Sequence, residues 1–143
     1  MIHVDVDMGT IGSLGEQCEK ALSRMMYFVS MELWGNIKRE APVDHDRLRG
    51  SFSKPVQTGE HEYIIFSGVE YGEYVEFGTR PHRIEPKNKP FLYFKIDGQE
   101  VYCAYVDHPG TAPNPFIERG IERTEGRVDE FADRAIGETL GAL

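Results

Sequence analysis

The residues best placed to do chemistry are Asp44, His45 and Asp46, with His82 and His108 further along the chain. Carboxylate and imidazole groups together can ligate a transition metal, which would admit a metal-dependent hydrolase built on Asp44, His45, Asp46 and His108. Three consecutive positions cannot all face one ion in a regular element, however. Asp44 follows Pro42-Val43 and precedes Arg47-Leu48-Arg49, so it more simply caps a short helical turn. His82 and His108 stand beside prolines, where an imidazole commonly fixes a loop by bonding a backbone carbonyl. Ser13, Ser23, Ser30, Ser51, Ser53 and Ser67 lie in cap, helix or strand contexts, and none sits in a G-x-S-x-G elbow. Neither a phosphate loop nor a dinucleotide fingerprint is present. Cys18 and Cys103 form no C-x-x-C pair and read as two buried thiols acting as small hydrophobes. The residues therefore point to no enzyme, no metal and no cofactor.

Composition narrows the partners. The 143 residues suit a single domain spanning 1–143, and no apolar run is long enough to cross a membrane. Met1 to Gly12 lack the basic and apolar regions of a signal peptide and read as structure. Asp and Glu outnumber Lys and Arg by 24 to 16, a formal net charge of -8. That balance opposes an electrostatic grip on nucleic acid, which needs cations to displace counterions from phosphates. It is compatible with solubility, or with lining a channel through which DNA passes without sticking.

The elements follow from periodicity. Ile2, Val4, Val6 and Met8 alternate as in a half-buried strand. Ser13 and Glu16 have capping-box spacing, which starts a helix at Leu14. Leu14, Cys18, Leu22, Met25, Val29, Leu33 and Ile37 then form an apolar stripe, and Pro42 ends the helix near Glu40. Two hairpins are expected, Ser51 to Gln57 with His61 to Ser67, and Phe91 to Ile96 with Glu100 to Val106 about Asp97-Gly98. Glu73 to Phe77 reads as one helical turn closed by Gly78. Thr79 to Pro90, with three prolines and four basic residues, reads as an extended loop or arm over 80–90. Asn114-Pro115 opens a last helix carrying Ile117, Ile121, Val128, Phe131, Ala135 and Leu140, weakened by Gly120 and Gly126. The expected fold is α+β: an antiparallel sheet of two hairpins and an N-terminal strand, with a long N-terminal helix and a C-terminal helix packed on it.

One constellation stays unusual. Tyr71, Tyr74, Phe77, Phe91, Tyr93 and Phe94 cluster around the basic loop from Arg80 to Lys89. Aromatics interleaved with cations can stack nucleic-acid bases, or they can be core residues beside an assembly arm. The acidic balance favours the arm. Arg80, His82, Arg83, Lys87, Lys89 and Tyr93 are then the interface candidates, with the acidic surface of a neighbouring copy as their partner. Such heterologous contacts close into rings.

Three segments carry a resemblance to a known family. Ala41-Pro42-Val43-Asp44-His45-Asp46-Arg47-Leu48-Arg49-Gly50-Ser51-Phe52 is similar to the "APVDTGxLRxSI" segment of the phage neck or tail-completion proteins named for gene product ten of coliphage HK ninety-seven. Tyr71-Gly72-Glu73-Tyr74-Val75-Glu76-Phe77-Gly78-Thr79 resembles that family's "YAxYVEFGT". His108-Pro109-Gly110-Thr111-Ala112-Pro113-Asn114-Pro115-Phe116-Ile117 resembles its "HPGTxxxPFLxPA", and the three occur in the family's order. His45-Asp46 replace the usual Thr-Gly, and Glu118-Arg119-Gly120 replace the apolar start of the last helix.

The resemblance implies a virion component at the neck or tail, assembled in the host cytoplasm, with no catalysis. It implies a homo-oligomeric ring, six-fold by preference, between a head-closure or stopper protein and a tail terminator or tube protein. DNA would pass through without specific binding. A tail terminator or another minor tail protein is the alternative within that class. The motif residues also have scaffold readings: Asp44 and Leu48 at the turn after the first helix, Tyr74, Val75 and Phe77 in the core, Gly78 at the reversal into the loop, and Pro109, Gly110 and Phe116 on the return to the last helix.

Overall fold

The computed structural model describes residues 8–43 and 46–141, with side chains from Leu14 onward. It is α+β, as the periodicities require. The elements are α1 (Met8–Glu40), α2 (Asp46–Ser51), β1 (Val56–Gly59), β2 (Glu62–Ile64), α3 (Gly72–Phe77), β3 (His82–Ile84), β4 (Leu92–Ile96), β5 (Gln99–Cys103), β6 (Val106–His108), α4 (Phe116–Glu125) and α5 (Val128–Thr139). The chain divides into two compact units: one runs up to Val69 and resumes at Phe116, and the other is Glu70–Pro115.

Several boundaries differ from expectation. α1 begins at Met8, so Ser13 lies inside the helix and does not cap it. The alternating segment ahead of Met8, and Asp44 and His45, lie outside the described residues. The strands form three separate antiparallel pairs, β1–β2, β3–β6 and β4–β5. The final helix is broken at Gly126-Arg127 into α4 and α5, because glycine and a non-helical Arg127 (φ -117°, ψ 3°) interrupt it. Cys18 is exposed, not buried, because the outer edge of the α1 stripe is left uncovered.

The first unit is a helical body. α4 and α5 pack along α1, burying Ala21, Ile37, Phe131 and Ala135. Leu48 of α2 and Phe116 at the start of α4 are fully buried, and Phe116 meets Phe52 edge to face at 5.9 Å. Trp34 Nε1 donates to the Phe52 carbonyl at 3.1 Å, tying α1 to the chain beyond α2. An isolated bridge from Phe52 to Ser67 and the Ser53 N–H bond to Phe66 O continue the β1–β2 ladder past its regular strands.

α4 approaches α1 closely at Gly120. A Cβ there would sit 3.0 Å from the Ile37 backbone nitrogen and 3.1 Å from its Cγ1. Beside it, buried Asn36 donates to Thr124 Oγ1 (3.1 Å), and Thr124 donates in turn to Gly120 O (2.8 Å). The glycine that weakens α4 in isolation is thus the residue that lets α4 meet α1.

Ion pairs border this contact. Glu40 at the end of α1 is bonded by Arg119 (2.9 Å) and Arg123 of α4. Glu32 meets Arg127 at 2.6 Å, and Glu138 of α5 is held by Arg24 and Arg134. The Arg119 hydrogen bond, with the charge of Arg123, holds the Glu40 carboxyl below its ordinary value of 4.5 against an opposing effect of burial. Arg127 likewise lowers Glu130, and Arg24 with Arg134 lowers Glu138. A carboxylate with a depressed folded-state pKa adds stability above its unfolded value and loses it as pH falls through the folded one.

Two outcomes are expected. Gly120→Ala should lower the melting temperature: overpacking costs about 1–3 kcal/mol, which outweighs the roughly 1 kcal/mol of helix propensity gained. A melting temperature equal to or above wild type would contradict the close approach. Glu40→Gln should lower stability at neutral pH and flatten its fall below pH 4.5, as read by thermal melts at stepped pH.

Candidate assembly surface

The unit Glu70–Pro115 contains all six residues singled out as an interface. Its local structure depends on a clasp between two glycine turns. Thr79 and Thr111 exchange both backbone hydrogen bonds, at 3.0 and 3.1 Å. Gly78 (φ +72°) and Gly110 (φ +87°) flank them in conformations that side chains rarely adopt. A Cβ on Gly78 would lie 2.5 Å from Thr111 O, and one on Gly110 would lie 2.4 Å from Thr79 O. Asn114 N–H bonds Val75 O at 2.9 Å, which fastens the return strand to α3. The second and third resembling segments are therefore joined in space here.

The loop read as extended contains a strand. β3 pairs with β6, with His82 opposite His108, Arg83 opposite Asp107 and Ile84 opposite Val106. Val106 consequently belongs to this pair and not to the β4–β5 hairpin. The two imidazoles stack at 5.1 Å. His82 Nδ1 lies 2.7 Å from the Arg80 carbonyl and so donates to it, whereas His108 Nδ1 accepts from Gly110 N–H at 3.0 Å. Arg83 bonds Asp107 at 2.8 Å and covers the Tyr105 ring at 4.0 Å. The neighbouring carboxylate raises the Arg83 pKa. Arg83 is thus already paired within the unit, while Arg80, Lys87 and Lys89 form no ion pair among the described residues.

β4 and β5 form the Asp97-Gly98 hairpin, both turn residues having positive φ as a type I′ turn demands. Tyr93 stands opposite Tyr102 with rings 5.1 Å apart, and its hydroxyl donates to Glu100 at 3.0 Å. Desolvation, then that hydrogen bond, raises the Tyr93 pKa.

Burial within this unit reverses the expected scaffold roles. Tyr74 is 60% exposed and Phe77 77% exposed, and Val75 is half-buried; Tyr74 and Phe77 do not fill a core. The one-turn helix α3 has a single buried side chain, that of Glu76. Ile84, Phe91, Tyr93, Ile96, Tyr102 and Tyr105 are exposed as well, and among the described residues Glu76 alone is buried between 70 and 115. Sequence reasoning noticed the aromatic cluster but assigned part of it to the interior. Residue type does not say which side of a sheet is covered. Asp46 opens α2 at the surface, and Pro109 is exposed beside Gly110.

These features define a class: an α+β chain whose helices hold the core and whose strand-bearing unit carries its large apolar side chains outside. Residues 8–78 match the model of the family described as "Bacteriophage HK97-gp10, putative tail-component". The match bears out the family resemblance over just under half of the 143 residues, including the first resembling segment and nearly all of the second. It supports a structural protein of a phage tail. No curated protein and no solved structure matches the chain. No described helix is long and apolar enough to cross a membrane.

Gly110→Ala should open the Thr79–Thr111 clasp, since the new methyl would collide with a backbone oxygen. Amide hydrogen exchange at Thr79 and Thr111 should accelerate while the helical unit keeps its protection. Unchanged protection at those two amides would contradict the clasp.

Proposed function

We propose that this chain is a non-enzymatic virion protein of a tailed phage, a ring-forming neck or tail-completion subunit between the head-closure complex and the tail tube. The observation that carries the reading is the inside-out character of residues 70–115. A strand-bearing unit of that size gains stability by burying apolar surface, and a two-stranded pair alone is marginal in water. Here eight large apolar side chains, from Tyr74 and Phe77 to Tyr105, remain exposed in the single chain. Neighbouring subunits in a particle would cover them.

The charges suit repeated copies. Arg80, Lys87 and Lys89 on one unit form no ion pair among the described residues, and the helical unit exposes Glu122, Glu125, Asp129 and Asp133. A contact between two different patches of identical chains is heterologous, and it closes into a ring when the rotation permits. Six copies fit the family resemblance, with the excess of acidic residues keeping passing DNA from adhering. The family described as a tail component supports placement in the virion.

Native mass spectrometry of the purified protein, with mass spectrometry of phage particles, tests this. Closed rings and presence in virions are expected; a strictly monomeric protein absent from particles would refute the proposal. Charge reversal by Arg80→Glu with Lys87→Glu should leave the circular dichroism spectrum intact and reduce ring and particle assembly. Assembly at wild-type levels would remove the basic loop from the interface.

A further inference from the structure

One turn of α1 faces the turn between β1 and β2. Glu19 and Ser23 are four residues apart on the same helical face. His61 lies against both, its Nε2 2.7 Å from Glu19 Oε2 and its Nδ1 3.3 Å from Ser23 Oγ. Ser23 Oγ also reaches the Glu60 carbonyl at 3.5 Å. One ligand atom from each of Glu19, Glu60 and His61 lies within 4.8 Å of the other two. Tyr27, a further turn along α1, meets the Tyr63 ring at 6.5 Å and helps hold β2 against the helix.

The polarity of these contacts is informative. Ser23 Oγ can give its proton to His61 Nδ1, which leaves Nε2–H to donate to Glu19, or to the Glu60 carbonyl, in which case it accepts from His61 Nδ1–H. In that second arrangement the Nε2 lone pair faces a carboxylate oxygen 2.7 Å away. The two atoms can then share a metal ion, which the lone pair and the carboxylate would both ligate. The hydrogen bond of the first arrangement engages Glu19 alone; a metal ion would also use Glu60.

We propose that Glu19, Glu60 and His61 form a binding site for a borderline divalent transition-metal ion, zinc being the natural occupant, with water completing the shell. The donor set is one imidazole nitrogen and two carboxylates, each an ordinary zinc ligand. Tetrahedral ligands about 2.0–2.1 Å from zinc stand roughly 3.3 Å apart, so Glu19 must draw back slightly from His61. Its long exposed side chain permits this. Ser23 is a positioning residue: by accepting Nδ1–H it fixes the ring with Nε2 toward the ion. The bound ion would pin the β1–β2 turn to α1. This inference concerns the helical unit and does not rest on the ring proposal.

The test uses the full chain, stripped with EDTA and titrated with zinc chloride by calorimetry and thermal melting. One zinc per chain is expected, with a rise in melting temperature that EDTA reverses. Cobalt substitution should give the visible absorption of a four-coordinate site. His61→Ala, Glu19→Gln and Glu60→Gln should each weaken zinc binding, and Ser23→Ala should weaken it about 10-fold or more. Because these side chains lie at the surface, the metal-free melting temperatures should stay close to wild type. No saturable binding would overturn the proposal and leave a histidine–glutamate hydrogen bond. Binding that ignores Glu19 and Glu60, or is lost only in His82→Ala or His108→Ala, would overturn it equally.

Discussion

At Ile37 the helices α1 and α4 come so close that a methyl group on the α carbon of Gly120 would have to push the Ile37 backbone aside. The rest of the helical unit is arranged around that contact. It sets the distance at which Asn36 reaches Thr124, and it brings Arg119 and Arg123 over the carboxylate of Glu40. It also fixes where α4 starts, and so delivers Phe116 to its buried place against Phe52. A larger residue would force the helices apart and loosen all of these together, since packed interiors transmit small displacements.

The unit Glu70–Pro115 is held by a different principle. Its stability comes from backbone exchange between Thr79 and Thr111, from paired short strands and from cross-strand contacts such as Arg83 with Asp107. Leu92, Phe94, Val101 and Val106 are half-buried, but eight large apolar side chains of the unit stay exposed in the single chain. Hydrogen bonds and surface ion pairs contribute modestly net of their loss to solvent. A unit built this way gains most from burying its exterior in an assembly, and that burial ties its stability to its proposed place in the particle.

Much of the fold was legible in residue order. The α1 stripe from Leu14 to Ile37, its end before Pro42 and the Asp97-Gly98 hairpin follow from local rules. The family resemblance was legible too, through the segments Ala41 to Phe52 and Tyr71 to Gly78. The β3–β6 pair was not: three residues carry no period, and their partners lie more than twenty positions away. The break at Gly126-Arg127 was also missed, since the apolar spacing runs on across it.

What the sequence determined by itself is local: helix and strand character, the turns demanded by glycine and proline, and the excess of acidic charge. Tertiary structure decided which apolar residues are inside. It buried Leu48 and Phe116 while leaving Tyr74 and Phe77 at the surface, paired Arg83 with Asp107, and brought Glu19 to His61 across forty-two positions. The physical reason is that burial and pairing depend on which surfaces meet, and that is a property of distant segments packed together, which no local spacing encodes.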